Sequence, residues 1–278
     1  MQAADATYRP RRQPNADEQE FPTPTSDAPL VRQPEGRGAR QFRPWFMKAN
    51  VVSAADGSAY IEAGRTKVMV AVHGPKDDGM GRGEASIATL SCDLRYGAAA
   101  APEGREHKKR AEEEKRPSAA MLSALRPCVR LERYPKSTIE VYCTVLDDDG
   151  GALPAAITCA ALALADAGIE MFDLAAACSL VRIGPDVLAL DPSADEEALA
   201  TAVYTRGGED GLGAAASMTL ASMPSLELVT HLVASGEMSV QGANDATRFL
   251  LDATSEVHAK MQLCLADSAL AKMSNRPK

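Results

Sequence analysis

The stretch LDDDGGALPAAITCAALALADAG, running from Leu146 to Gly168, decides how the rest of the chain is read. Three aspartates run into two glycines, and a long run of small apolar residues follows. Ala155–Ala167 is apolar on most helical faces, which predicts a central helix packed on several sides rather than a surface helix. The acids and the Gly-Gly pair at its mouth have two readings. They form a metal or phosphate site at a helix N-terminus, or they are a solvated turn between a strand and a buried helix.

Upstream, STIEVYCTVLDD alternates as a strand that ends at the aspartates. Further back, NVVSAADGSAYIEAGRTKVMVAVHGP carries two alternating runs, Ala59–Glu62 and Thr66–Val72, joined by Gly64-Arg65 and preceded by an Asp56-Gly57 turn. Ser86–Arg95 predicts a further strand. The polar, charge-mixed stretch from Tyr96 to Arg116 predicts an exposed loop, and PSAAMLSALRPCVRL predicts a helix with Pro117 in its first turn. Downstream, strands are predicted at Ala175–Ile183, Val187–Leu190, Ser217–Ser222 and Glu227–Val233. From about Gln241 a long amphipathic helix follows, with Phe249, Leu250, Ala253, Val257, Met261 and Cys264 at three-to-four-residue spacing. Both halves thus repeat strand, strand, helix. This implies an α+β fold of two βαβ-type halves packed as sheet and helix layers. Residues 39–174 form the first half and 175–278 the second. No dinucleotide, Walker, nucleophile-elbow or zincin motif is present.

Residues 1–38 are rich in Pro, Gln, acid and Arg but poor in aliphatics, which predicts a disordered tail. No apolar leader core and no bilayer-length apolar run occurs, so an intracellular chain without membrane contact is expected. The six cysteines are scattered without a C-x-x-C pair and the four histidines are dispersed, which predicts reduced thiols and no metal site. Of the net charge of −8, residues 185–278 hold 6 basic and 13 acidic side chains, while residues 1–184 are close to neutral. An acidic second half argues against a broad grip on nucleic acid there.

ADGSAYIEAGRTKVMVAVHGPK followed by VLDDDGGALPAAITCAALALADAGIEMFDL resembles the RNase PH family, whose members include the ring subunits of the RNA exosome. With the RLERYP turn, the resemblance runs from about Arg43 to the C-terminus, and it is greatest to the non-catalytic ring subunits of the eukaryotic exosome. It implies an RNase PH-like fold, a six-membered ring, and in catalytic members phosphate-dependent cleavage of RNA 3′ ends.

In those members an arginine three positions after the first glycine of DGG binds phosphate. Here that position is Leu153, which has no hydrogen-bond donor. A pair of aspartates in a D-x-x-G-x-x-D pattern completes the family's site. Asp210 and Gly213 match its first half, but Ala216 or Ser217 stands where the second carboxylate belongs. Leu153 and Asp210 are therefore a vestigial site, with no catalytic residue, cofactor or metal, and Asp147–Asp149 read as a solvated strand end. His73 reads as a strand-end side chain rather than a base. Lys76 lies on a loop that the resemblance places toward the ring's pore, a candidate RNA contact. Lys108, Lys109, Arg110 and Arg116 stand where the family carries a basic arm, diluted by Glu112–Glu114. The implied function is a non-catalytic scaffold of the exosome core ring that helps line the channel for 3′–5′ RNA processing. Implied partners are other RNase PH-like ring subunits, an OB-fold cap subunit, an associated hydrolytic exoribonuclease and single-stranded RNA. Implied locations are nucleus, nucleolus and cytoplasm. The alternative is a phosphorolytic exoribonuclease with a site shared between subunits.

Overall fold

The alternation over residues 57–72 folds as a hairpin in the computed structural model, which describes residues 31–32, 37–77, 87–97, 100, 107–183, 187–205 and 215–274. The first sheet is built from β3 (Trp45–Ala49), β4 (Gly57–Ala63), β5 (Thr66–Asp77), β6 (Thr89–Tyr96) and β7 (Ser137–Asp147), in the order β3-β4-β5-β7-β6. Ile61 pairs with Val68 across the β4–β5 hairpin, and Ala59, Ile61, Val68, Val70 and Val72 are buried. Every second residue faces the core because strand side chains alternate. β6 runs parallel to β7, a pairing that needs a crossover, and α1 (His107–Leu125) supplies it.

α1 begins earlier than the sequence reading placed it. The stretch expected as an exposed loop enters the helix at His107, and Pro117 sits inside it rather than in its first turn. Ala, Glu, Lys and Arg are strong helix formers, so AEEEKR propagates a helix that the charge pattern had suggested was a loop. Glu114 fixes the helix to the sheet by accepting the Tyr96 N–H at 3.1 Å, and Ser118 Oγ accepts the Leu94 N–H at 2.9 Å.

α2 (Ala152–Asp166) is the central helix expected from its composition. All but three of its residues are buried, and it packs on β4 and β5 on one side and on two strands of the second sheet on the other. Gly57 marks how closely it approaches. A Cβ there would lie 2.2 Å from the Ala167 nitrogen and 2.4 Å from the Ala163 oxygen.

The second sheet comprises β8 (Ala176–Ile183), β9 (Val187–Leu190), β10 (Ala216–Met223) and β11 (Leu228–Gly236), in the order β11-β10-β8-β9. α3 (Ala194–Thr205) connects β9 to β10 across β8, and α4 (Val240–Ser274) closes the other side through Leu250, Ala253, Val257 and Met261. α3 was not anticipated. Asp195, Glu196 and Glu197 in its first turn suit a helix N-terminus, and Ala and Leu are good helix formers.

Of the expected tail, residues 1–30 and 33–36 lie outside the described residues. The remainder is ordered: β1 (Val31–Arg32) pairs with β2 (Arg37–Gly38), and Arg37 is buried, donating to the Asp191 carbonyl at 3.0 Å. Ala39 O accepts the Leu190 N–H at 2.8 Å, so this segment lies against β9.

Candidate functional site

The turn before α2 is held from behind by one buried guanidinium. Arg43 Nη1 donates to Asp149 O at 2.8 Å, and Nη2 donates to Gly150 O at 2.9 Å and to Asp191 Oδ1 at 2.7 Å. Asp191 Oδ2 also accepts the Arg43 N–H at 3.0 Å and the Trp45 indole N–H at 3.2 Å. Burial alone pushes the Asp191 carboxyl up, but the hydrogen bonds and charge of Arg43 outweigh it and hold its pKa below the ordinary carboxylate range. Burial likewise works against the Arg43 charge, and Asp191 overcomes it, so the arginine pKa is raised.

Thr66 Oγ1 adds a second tie, donating to Gly150 O at 2.7 Å and accepting the Asp149 N–H at 3.0 Å. Gly150 and Gly151 have φ of 88° and 67°, the left-handed region that favours glycine. A Cβ on Gly150 would also meet the Pro192–Ala194 backbone at 2.6 Å. The two amides of the Gly-Gly turn are committed: Gly150 N–H to Asp148 Oδ1 and Gly151 N–H to Glu197 Oε1, both at 3.0 Å. The three aspartates are only partly exposed and the two glycines are buried.

Leu153 lies in the first turn of α2, partly buried against the main core. Asp210 falls outside the described residues. Of its two possible partners at the start of β10, Ala216 is buried and Ser217 is exposed. Neither has a carboxylate. The described residues therefore bring Arg43, Asp191 and Glu197 together behind the turn that leads to Leu153, where they are engaged with one another or with the turn backbone.

Lys76 stands half-exposed near the end of β5, its Nζ 3.0 Å from Glu140 Oε2 on β7. His73 lies immediately before the Gly74-Pro75 step with its ring against Tyr142, centroids 6.0 Å apart. Arg116 is exposed on α1, far along the chain from Lys76; Lys108, Lys109 and Arg110 lie in the helix's first turn. All six cysteines are unbridged thiols. Burial pushes Cys92 and Cys128 up to about 12 and drives Cys143, Cys159 and Cys178 upward as well. Buried, protonated thiols of this kind are poor nucleophiles at neutral pH. Among the described residues no group of His, Cys, Asp and Glu could hold a metal ion, and no helix is long and apolar enough to cross a membrane.

Sequence reasoning missed Arg43, Asp191 and Glu197. The one signal available was that Arg43 and Asp191 each precede a proline, which restricts their backbones. Asp191 departs from the extended conformation that a following proline favours, with φ of 50° in the left-handed region.

Among the described residues β11 presents an apolar surface. It is an edge strand, and Leu228, Val229, Leu232 and Val233 are all exposed. Exposed apolar edges are rare in chains that function alone, since they recruit further strands.

Residues 41–170 match the sequence model of the 3′ exoribonuclease family, domain 1. A protein of Arabidopsis thaliana, exosome complex component RRP41-like, is 37% identical over 241 residues, covering 86% of each chain. Exosome complex component MTR3 of Homo sapiens is 38% identical over 251 residues, covering 85% of this chain and 87% of its own. Among solved structures, rice Rrp46 superposes with a TM-score of 0.63 at 25% identity, over 82% of this chain and 97% of the other. An Archaeoglobus fulgidus exosome with RNA bound to the active site gives the same TM-score at 20% identity, a likeness of fold alone.

Proposed function

This chain belongs to the RNase PH family of 3′ exoribonuclease proteins, and on that premise we propose that it is a non-catalytic, structural subunit of an RNA exosome core ring. Its task is to close the ring beside other RNase PH-like subunits, to seat an OB-fold cap subunit, and to help line the channel along which single-stranded RNA reaches an associated hydrolytic exoribonuclease. It works in nucleus and cytoplasm, the nucleolus included.

The observation that carries the non-catalytic reading is the surroundings of Leu153. It turns an apolar side chain toward the core, and the guanidinium nearest the Gly-Gly turn, Arg43, is buried and neutralised by Asp191. Anion binding at a helix mouth needs uncommitted N–H donors. In the turn that leads into α2, the N–H groups of Gly150 and Gly151 already serve Asp148 and Glu197, which narrows the donors left for an anion. The exposed apolar edge of β11 supports a ring neighbour.

The test is phosphorolysis by the chain assembled with its RNase PH-like neighbours, given RNA, inorganic phosphate and magnesium. Activity traceable to this subunit is expected to be absent, and Leu153→Arg alone is expected to leave it absent. Release of nucleoside diphosphate that Asp210→Ala abolishes would overturn the reading.

A further inference from the structure

The C-terminal half of α4 is apolar on two opposite faces. One face, with Val257, His258 and Met261, is buried in the body of the protein. On the other, Ala259, Leu263, Ala266, Leu270 and Met273 follow one another in steps of four, three, four and three. At 100° per residue this stripe lies almost opposite Met261. All five are exposed; Leu263, Leu270 and Met273 show 67%, 65% and 71% of their surface to solvent. Alternating steps of three and four are the heptad spacing of a helix seam that meets another helix.

We propose that this seam pairs with the same seam of a second copy of the chain, antiparallel, about a two-fold axis near Cys264. The complementarity commits it to a second copy. With that axis Leu263 faces Ala266 of the other copy and Leu270 faces Ala259, so these layers set a large side chain against a small one, while Met273 comes beside Glu256 at the ends of the seam. The flanking charges match in the same register: Lys260 of each copy comes beside Asp267 of the other. Among the described residues Lys260 pairs with Glu256 of its own helix, at 2.9 Å, and lies over the Phe42 ring, while Asp267 is exposed. The seam spans about four helical turns, less than a standard interface of about 800 Å² per partner, so the dimer is weak and concentration-dependent.

The proposal does not rest on the ring reading, because the stripe is on α4 and the edge offered to ring neighbours is β11. The experiment is sedimentation of the full chain co-purified with its ring neighbours, over a wide concentration series at low salt. The chain alone is run in parallel, so that failure to form a ring is seen separately from failure of the seam. Reversible doubling of mass is expected. Leu270→Glu should abolish it, and Lys260→Asp or Asp267→Lys alone should weaken it by about tenfold, since each repeats twice by symmetry. The double swap, Lys260→Asp with Asp267→Lys, should restore it. Absence of concentration dependence would overturn the proposal, as would a double swap no better than either single change. Loss of a different bound protein in Leu270→Glu, with self-association unchanged, would assign the seam to a foreign helix and overturn it equally.

Discussion

Arg43 and Asp191, 148 residues apart, meet as a buried ion pair at 2.7 Å where the first sheet, the mouth of α2 and the end of β9 converge. Neither side chain has appreciable solvent contact, and every acceptor around the guanidinium belongs to the turn or to Asp191 and Thr66. The pair fixes the geometry of the Gly-Gly turn. Asp191→Asn leaves a buried cation without its counter-charge and should cost about 3–5 kcal/mol, read by denaturant unfolding of the assembled subunit.

The same pair sets an acid limit. The folded-state pKa of Asp191 is depressed below its unfolded value. Its contribution is therefore fully present above the unfolded carboxylate range, near pH 4, and is lost as pH falls through the depressed folded value. Wild-type stability should drop through this acid window with a component that Asp191→Asn lacks. Equal slopes in the two proteins would disprove the assignment.

Gly57 is required for space rather than for backbone freedom, since its φ is not positive and the obstruction is the backbone of α2. Gly57→Ala must displace the C-terminal end of that helix and should destabilise the protein by about 3 kcal/mol. Gly168→Ala is the contrast. No atom lies within 4 Å of a Cβ there, so only the strain of φ 74° is felt, and about 1 kcal/mol is expected.

How much of this was legible beforehand depends on the range of the interaction. The β4–β5 hairpin, β7, α2 and the second-half strands were readable because alternation and apolar runs are written in neighbouring residues. α1 was placed too late because mixed charge was weighed above helix propensity. α3 was missed because Asp195–Glu197 read as excess charge rather than as a helix start. The loss of the phosphate arginine at Leu153 was visible in a single residue. Its surroundings were not, because Arg43, Asp191 and Glu197 come together only through the packing of two sheets. The exposure of β11 was equally hidden, since sequence shows a strand but not its place at an edge.

At β11, Leu232→Lys puts a charge on the exposed edge without touching the core. Expressed alone, that variant should stay soluble where the unmodified chain self-associates. In co-expression it should retain less of its RNase PH-like neighbour by about tenfold. Undiminished co-purification would move the ring contact elsewhere.

Lys76 offers one cation, already held by Glu140 at 3.0 Å, so a phosphate must compete for it. Lys76→Glu should weaken protection of a long single-stranded RNA by the assembled complex, by under about tenfold and less at higher salt. Neutralising Lys108, Lys109 and Arg110 together should matter less, because Glu112–Glu114 follow them directly. Were the triple variant to abolish protection and Lys76→Glu to spare it, the RNA path would run past α1 instead.

The two-sided burial of α2 has a consequence for how the protein is made. Its helix leaves the ribosome with one side able to settle on β4 and β5, while β8 and β10, which cover the other, are still to be synthesised. At about 5–20 residues per second the wait lasts some seconds, far longer than a helix or a hairpin takes to form. During that interval the nascent chain presents a greasy alanine-and-leucine surface with no lid. Folding of the second half therefore proceeds against a central helix that is already half docked.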